Sequence, residues 1–341
     1  MTDWYGLAGV RLDVADEAKR RIADLVQSTR TGLTVGQVGG FAGMIRVPAG
    51  VARPVLVLST DGVGTKVLVA ARAGVHDTIG EDLVNHCVND ILVHGAQPLA
   101  FLDYVAAGTL DADVAAAIVT GVARACRAHD MTLAGGETAE LPDLYQPGHY
   151  DLAGSIAGVV DEAAALHGDR VRVGDVLVAY ASSGLHTNGY TLARRILFES
   201  LRLDVSDLFP DTTRTVGDVL LDVHRSYAAA VTPALGRVHA LAHVTGGGIA
   251  GNLVRVLPDG CQAVLDAGAW PWPTVFRVLM RAGKVSLGEM RRVFNLGVGL
   301  IAVAARDDVE AVCQAAARAN VPTWLVGEIH AGPKGVRFSE R

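Results

Sequence analysis

Aromatic side chains make up only 5% of the 341 residues and charged ones only 19%, while half of the chain is hydrophobic. Disorder needs the opposite balance, so the composition points to packed layers of helix and strand. Cysteine is scarce as well. Cys87, Cys126, Cys261 and Cys313 lie far apart and form no C-x-x-C pair, which leaves neither a zinc knuckle nor a thioredoxin-like motif, and a chain of this size needs no disulfide scaffold. There is no excess of positive charge. The net charge of -6 gives no basis for nucleic acid or an anionic membrane surface as the main partner and leaves small molecules as the expected one. No segment reaches the roughly 18 uninterrupted apolar residues of a membrane span, and the opening MTDWYGLAGVRLDVADEAKRR lacks an apolar core of signal-peptide type. A cytoplasmic protein is expected. A Walker A loop, a Ser-His-Asp or Cys-His nucleophile signature and a fixed-period repeat are all missing.

What the chain has in quantity is glycine, 39 residues, much of it where a β-branched run gives way to a helical pattern. PVLVLSTDGVGTK reads as a strand ending in a glycine turn, and EDLVNHCVNDILVH behind it spaces Leu83, Val84, Cys87, Val88, Ile91 and Leu92 as the apolar stripe of a helix. AFLDYVAAG followed by DADVAAAIVTGVARACRAH repeats the order. In the second half VLVAYASSGLHTNGYTLARRIL, VHALAHVTGGGIAGNLVRVL and FNLGVGLIAVAARDDVEAVCQAAARA are strand-loop-helix pieces. This alternation predicts two α/β or α+β domains. Polar residues and glycines interrupt the pattern in LHGDRVRVGD, so the boundary is placed there, giving domains 1–168 and 169–341. The five glycines of TGLTVGQVGGFAG predict a connector that is loose until something binds.

Five stretches carry chemistry. In STDGVGTKV, Gly62 and Gly64 let the backbone turn and leave N–H groups open, Asp61 offers a hard oxygen, and Thr65 and Lys66 add a hydroxyl and a cation. Magnesium-bound polyphosphate requires those groups, although a capped turn with a solvated lysine uses the same residues. Asp82, His86 and Asp90 are four apart, hence on one helix face, which reads either as metal-directed or as an ordinary solvated face. LAGGETAELPDLYQPGHYDLAGS reads as an acidic loop between two strands, and Asp61, Asp90 and Glu137 are candidates to converge on divalent metal; the alternative is a solvated turn. SSGLHTNGY offers Ser182, Ser183, His186 and Asn188 to a phosphate or polar substrate edge, or to simple helix capping. In AHVTGGGIAGN the consecutive Gly246, Gly247 and Gly248 after Thr245 suit close backbone approach to a phosphate, while His243 reads as a strand-end histidine of less certain role.

Taken together, DGVGTK at 61, the GEDLVNHCVNDI helix at 80, FLDY at 101, GGETAELPDLY at 135, SSGLHTNGY at 182, HVTGGG at 243 and FNLGVGL at 294 resemble the phosphoribosylformylglycinamidine cyclo-ligases, or aminoimidazole ribonucleotide synthetases, in order over nearly the whole chain. The resemblance implies ATP-dependent ring closure in purine biosynthesis with Mg2+. It also implies a homodimer in which N-terminal strands complete a β-barrel flanked by helices, followed by a C-terminal α/β sandwich. By the same carry-over Asp61, Asp90 and Glu137 match metal-binding positions. Gly40, Gly62, Gly64, Thr65, Lys66, Asn89 and Asp103 match the nucleotide site, with residues 36–43 as its cover. Ser182, Ser183, Asn188, Thr245, Gly246, Gly247 and Gly248 match the substrate loops. Lys66, His186 and His243 are the candidates for catalysis, the two histidines because imidazole titrates near neutral pH. Other members of the same ATP-binding superfamily, such as selenophosphate synthetase and thiamin monophosphate kinase, fit less well; the former usually carries Cys or selenocysteine in its N-terminal glycine segment, where this chain has none before Cys87. A nucleotide-binding dimer without turnover is the reading from a different class.

Overall fold

The computed structural model describes residues 12–36 and 41–339. The chain divides into two compact units. One runs to Ile91 and resumes over Gln97–Asp161; the other combines Leu92–Ala96 with the chain from Glu162 onward. The break at Asp161 lies a few residues before the one expected from sequence.

In the first unit, strands β3 (Pro54–Gly62), β4 (Gln97–Ala107), β5 (Thr132–Glu140) and β6 (Tyr150–Asp161) form a four-stranded sheet in the order β3-β6-β4-β5, with β4 and β5 parallel and the other pairs antiparallel. Helices α1 (Leu12–Gln27), α2 (Lys66–Ala73), α3 (Asp77–Leu92) and α4 (Ala112–Ala128) accompany it. Helix α4 starts where the Asp111 side chain accepts from the N–H groups of Asp113 and Val114, a normal N-cap. Helices α3 and α4 touch backbone to backbone: a Cβ on Gly80 would stand 2.0 Å from the Ile118 carbonyl oxygen, and one on Gly121 1.8 Å from that of Asp77. Glycine at both positions is therefore what allows the crossing, and Arg124 clasps it by hydrogen bonds to Glu81 and Asp77. Among the described residues, none covers one face of the sheet. Leu56, Leu58, Leu102 and Tyr104 are exposed on it, a larger apolar group than scattered surface residues explain.

The segment expected to be a loose connector is flanked by a short antiparallel ribbon, β1 (Thr34–Val35) with β2 (Met44–Ile45). Gly40 lies outside the described residues. The acidic stretch also differs from expectation: β5 continues through Glu140, so Glu137 and Glu140 stand on a strand and the loop proper is residues 141–149. Glu140 accepts a hydrogen bond from the Leu110 N–H at 2.8 Å, which fixes the strand end.

The second unit is built on a six-stranded sheet, β12-β9-β11-β7-β10-β8, formed by β7 (Val176–Ala181), β8 (Val238–His243), β9 (Cys261–Asp266), β10 (Val298–Ala304), β11 (Thr323–Ala331) and β12 (Gly335–Ser339). Every residue of β7 and β10 is buried, because both sheet faces are covered. The period of two divides them between two cores: Leu177, Ala179, Ile301 and Val303 pack into one, Val178, Tyr180, Leu300 and Ala302 into the other. Continuous apolar runs with no polar alternation are the sequence signature of such strands. Among the described residues no helix is long and apolar enough to cross a membrane.

Candidate active site

The site residues form one cluster in each unit. In the first, β3 delivers Asp61 at its end, Gly64 turns the chain with φ +56°, and Lys66 opens α2 directly afterwards. The register aligns Asp61 with Gly154, Asp103 and Gly136, so this row faces one side of the sheet. Asp61 Oδ2 lies 2.9 Å from His86 Nε2, and Asp90 Oδ2 lies 3.8 Å from the same atom. Ser59 Oγ donates to Asp90 at 3.1 Å. The polar face of α3 is therefore not solvated: Asp82, His86 and Asn89 are buried. Burial pushes the His86 imidazole down, but the hydrogen bond to Asp61 and the charges of Asp90, Asp61 and Asp82 outweigh it, and its pKa lies above the ordinary histidine value.

Lys66 is wholly buried, 2.7 and 2.9 Å from the two carboxylate oxygens of Asp82. Burial keeps Asp103 from ionising readily, and its carboxyl is pushed up to about 7. Two carboxylates, Asp61 and Asp90, thus meet at one place, and hard oxygen donors of this kind suit Mg2+. Glu137 is not brought to them. It pairs in register with Tyr104, in the neighbouring row and so on the opposite sheet face, on the far edge strand from β3.

In the second unit the motifs interlock. Asn295, from FNLGVGL, donates to the Gly184 carbonyl at 2.9 Å and accepts from the Gly297 N–H at 2.8 Å, with Ser182 Oγ 3.1 Å from its amide oxygen. Ser183 Oγ donates to the Val223 carbonyl, and the Ser183 N–H to His186 Nε2 at 3.2 Å. His186 is held at φ +63°, and a Cβ on Gly299 would stand 2.5 Å from its ring and 2.0 Å from Tyr227 Oη. Glycine at 299 is what makes room for both rings. Thr245, Gly246 and Gly248 are tied from inside by Asn252, whose amide nitrogen donates to all three carbonyls at 3.3, 3.2 and 2.8 Å. Gly246 and Gly247 stay exposed at the head of helix α6 (Gly248–Leu253), which follows α5 (Tyr190–Arg194) of the SSGLHTNGY motif. Gly248 has φ +65° and no room for a side chain, since its Cβ would meet the Arg291 carbonyl oxygen at 2.0 Å. Asn188 Oδ1 lies 3.4 Å from where a Cβ on Gly246 would be, so the two loops are neighbours.

Three buried residues of this arrangement went unnoticed in the sequence. Asn252 and Asn295 sit inside or beside motifs and signal only through their amide chemistry. His224 carries no motif at all, yet its Nε2 lies 3.1 Å from His243 Nε2 and its ring stacks on His186 with centroids 4.0 Å apart.

Residues 42–160 match the family described as AIR synthase related protein, N-terminal domain, and residues 172–339 the corresponding C-terminal domain. The fold is shared with a thiamine-monophosphate kinase from Stenotrophomonas maltophilia, at TM-score 0.71 and 20% identity over 94% of this chain and 96% of that one. It is shared also with a hydrogenase maturation protein HypE solved in complex with ATP, at TM-score 0.67 and 18% identity over 95% and 91%. These define the class, a two-domain AIR synthase-related protein. Within it, the phosphoribosylformylglycinamidine cyclo-ligase of Sorangium cellulosum is 49% identical over the whole chain and 99% of its own length, and that of Trichlorobacter lovleyi 44% over 95% and 94%. The chain belongs to the phosphoribosylformylglycinamidine cyclo-ligase family.

Proposed function

We propose that the chain is an ATP-dependent cyclo-ligase of de novo purine biosynthesis, closing the imidazole ring of formylglycinamidine ribonucleotide to give 5-aminoimidazole ribonucleotide, ADP and phosphate. The observation that carries the reading is the 49% identity to a cyclo-ligase along the entire length, beside a carboxylate pair and glycine turn in the first unit and glycine loops in the second.

The chemistry sets the task. An amine nitrogen must attack the formamide carbon and displace its oxygen, a very poor leaving group. Transfer of the γ-phosphoryl group from ATP to that oxygen makes a C–O–P linkage; attack by the nitrogen then breaks the C–O bond, and the formyl oxygen departs within inorganic phosphate. Positioning and charge stabilisation are the protein's main contributions to such transfers. Asp61 and Asp90 are the residues to hold Mg2+, which when bound neutralises the polyphosphate. Gly62, Gly64, Thr65 and Asn89 frame the nucleotide, and Asp103 backs the same sheet face. Lys66 acts through Asp82, setting the start of α2 and the position of α3. The loops bearing Ser182, Ser183 and Asn188, and Thr245 to Gly248, receive the ribonucleotide and its phosphate. His186 and His243 handle the proton lost from the attacking nitrogen.

A homodimer fits the exposed sheet face of Leu56, Leu58, Leu102 and Tyr104. Glu137 shares that face, so it serves the metal or nucleotide site of a second copy rather than its own. The same contact is what would complete a barrel from two open sheets. The division of labour follows the two units: nucleotide, metal and dimer contact in the first, substrate in the second.

The test is incubation of the purified chain with Mg-ATP, with and without formylglycinamidine ribonucleotide, following ADP and a diazotisable aminoimidazole. Equal, substrate-dependent amounts of both are expected; ATP binding without consumption would replace this reading with a nucleotide sensor.

A further inference from the structure

We infer that Asn252 is a positioning residue for substrate phosphate: by drawing carbonyls of the loop 245–248 inward, it turns the N–H groups of Gly246 and Gly247 outward to meet a phosphate group. The inference rests on the reading of this loop as one that receives the ribonucleotide, and adds the residue that sets the sign of the loop's surface.

Asn252 stands four residues after Gly248, one turn along α6, and a helical side chain leans toward the N-terminus of its helix, so the amide lies back under the loop. Only 3% of it is exposed. Its Nδ2 donates to the carbonyls of Thr245, Gly246 and Gly248 at 3.3, 3.2 and 2.8 Å. Its Oδ1 accepts from Thr245 Oγ1 at 3.2 Å and from the Arg255 guanidinium at 3.4 Å. The partners fix which way round the amide sits. Carbonyl oxygens only accept and a guanidinium only donates, so the nitrogen must face the loop carbonyls and the oxygen must face Arg255.

In a planar trans peptide the N–H of one residue points opposite to the C=O of the residue before it, and among the described residues there is no cis peptide. The Thr245 carbonyl, drawn toward Asn252, therefore sends the Gly246 N–H away from it, and the Gly246 carbonyl does the same for the Gly247 N–H. Both glycines are exposed, while Gly248 is buried behind them. Two successive N–H groups directed to one outer side form a concavity suited to anionic oxygens. Without the Asn252 amide, three carbonyls lose a buried donor, and rotating the peptides to hydrate them would present oxygen where phosphate is to be met. The loop would then repel the group it is built to receive.

Asn252→Leu, of similar size, removes all of these bonds. The expected result is a KM for formylglycinamidine ribonucleotide raised roughly tenfold or more, as for loss of hydrogen bonds to a charged group, with kcat within about threefold and KM for ATP within about twofold. A role in folding alone would lower the amount of active enzyme, hence kcat, and leave both KM values in place. Wild-type KM values in the variant, or a rise confined to ATP, overturn the inference. If Asn252→Leu does not fold, Asn252→Asp, the same size and still able to accept from Thr245, carries the same expectation.

A second measurement needs no turnover. In the full-length protein carrying 13C-carbonyl threonine and 15N glycine, Gly32, Gly121 and Gly246 are the glycines that follow a threonine, so their amides alone are selected, and Gly246 is the signal lost in Gly246→Ala. That amide should shift on addition of ribose 5-phosphate and not of ribose, and the shift should be absent in Asn252→Asp. A Gly246 amide unmoved by ribose 5-phosphate overturns the inference. If the wild type shows no turnover while the amide responds as expected, the cyclo-ligase reading fails and the role of Asn252 stands.

Discussion

Lys66 Nζ lies 2.7 Å from Asp82 Oδ2 and 2.9 Å from Asp82 Oδ1, with both side chains completely buried. The lysine of a turn otherwise suited to polyphosphate is thus committed to a partner on the next helix. Leaving one charge of such a pair uncompensated costs about 3–5 kcal/mol, whereas replacing both by apolar groups of similar volume costs much less. Lys66→Met is therefore expected to lower unfolding free energy by about that amount, and Lys66→Met combined with Asp82→Leu to recover much of it, in urea denaturation.

Asp61 and Asp90 both approach His86. If they hold Mg2+, Asp61→Asn removes a charged oxygen donor from a cation that depends on a few of them. The expected outcome is an Mg2+ concentration for half-maximal activity raised roughly tenfold or more, with far-UV circular dichroism unchanged. Magnesium titration of initial rates checks it, and an unaltered titration curve removes Asp61 from metal binding.

How much of this was legible in the sequence depends on what each inference required. The proximity of Asp61 and Asp90 followed from a strand-turn-helix and from side chains four apart on α3. The two covered cores of the second unit followed from unbroken apolar runs. Three acidic segments in one half of the chain make Glu137 a candidate for a convergent site, but its sheet face depends on register, and the β4–β5 register slips between Phe101 and Leu102. A one-residue slip moves a side chain to the other face, and no local pattern reveals it. The residue types on the polar face of α3 allow either a solvated or a metal-directed reading; only the tertiary packing buries Asp82, His86 and Asn89. His224 comes from a stretch without glycine or motif, so its meeting with His243 is a product of topology alone.

Asp103 offers a pH test. Its carboxyl ionises near the ordinary value of 3.8 when unfolded and is pushed up to about 7 by burial in the folded protein. Between those values the folded state binds more protons than the unfolded one, so this residue's contribution to stability is present below about pH 4 and is lost as pH rises through about 7. Asp103→Asn should stabilise the protein at pH 8, by up to about 4 kcal/mol on the usual conversion of pKa shifts, and should bring no gain at pH 4. Chemical denaturation at the two pH values measures it.

Leu58 is the most exposed large side chain of the uncovered sheet face, at 70%. If that face joins two copies, Leu58→Glu places a charge where apolar burial is needed. The variant should elute as a monomer in light-scattering chromatography where the wild type is a dimer, and should lose activity that depends on Glu137 of a second copy. A wild type that is monomeric at micromolar concentration would separate the sheet face from function.

The most direct measurement of the central claim follows the formyl oxygen. Formylglycinamidine ribonucleotide labelled with 18O at the formyl position is turned over with Mg-ATP, and the inorganic phosphate is analysed by mass spectrometry. Label transferred quantitatively into phosphate, alongside stoichiometric aminoimidazole and ADP, is the predicted result. Label released to water, or ADP formed without aminoimidazole, would contradict ring closure through a phosphorylated formyl oxygen.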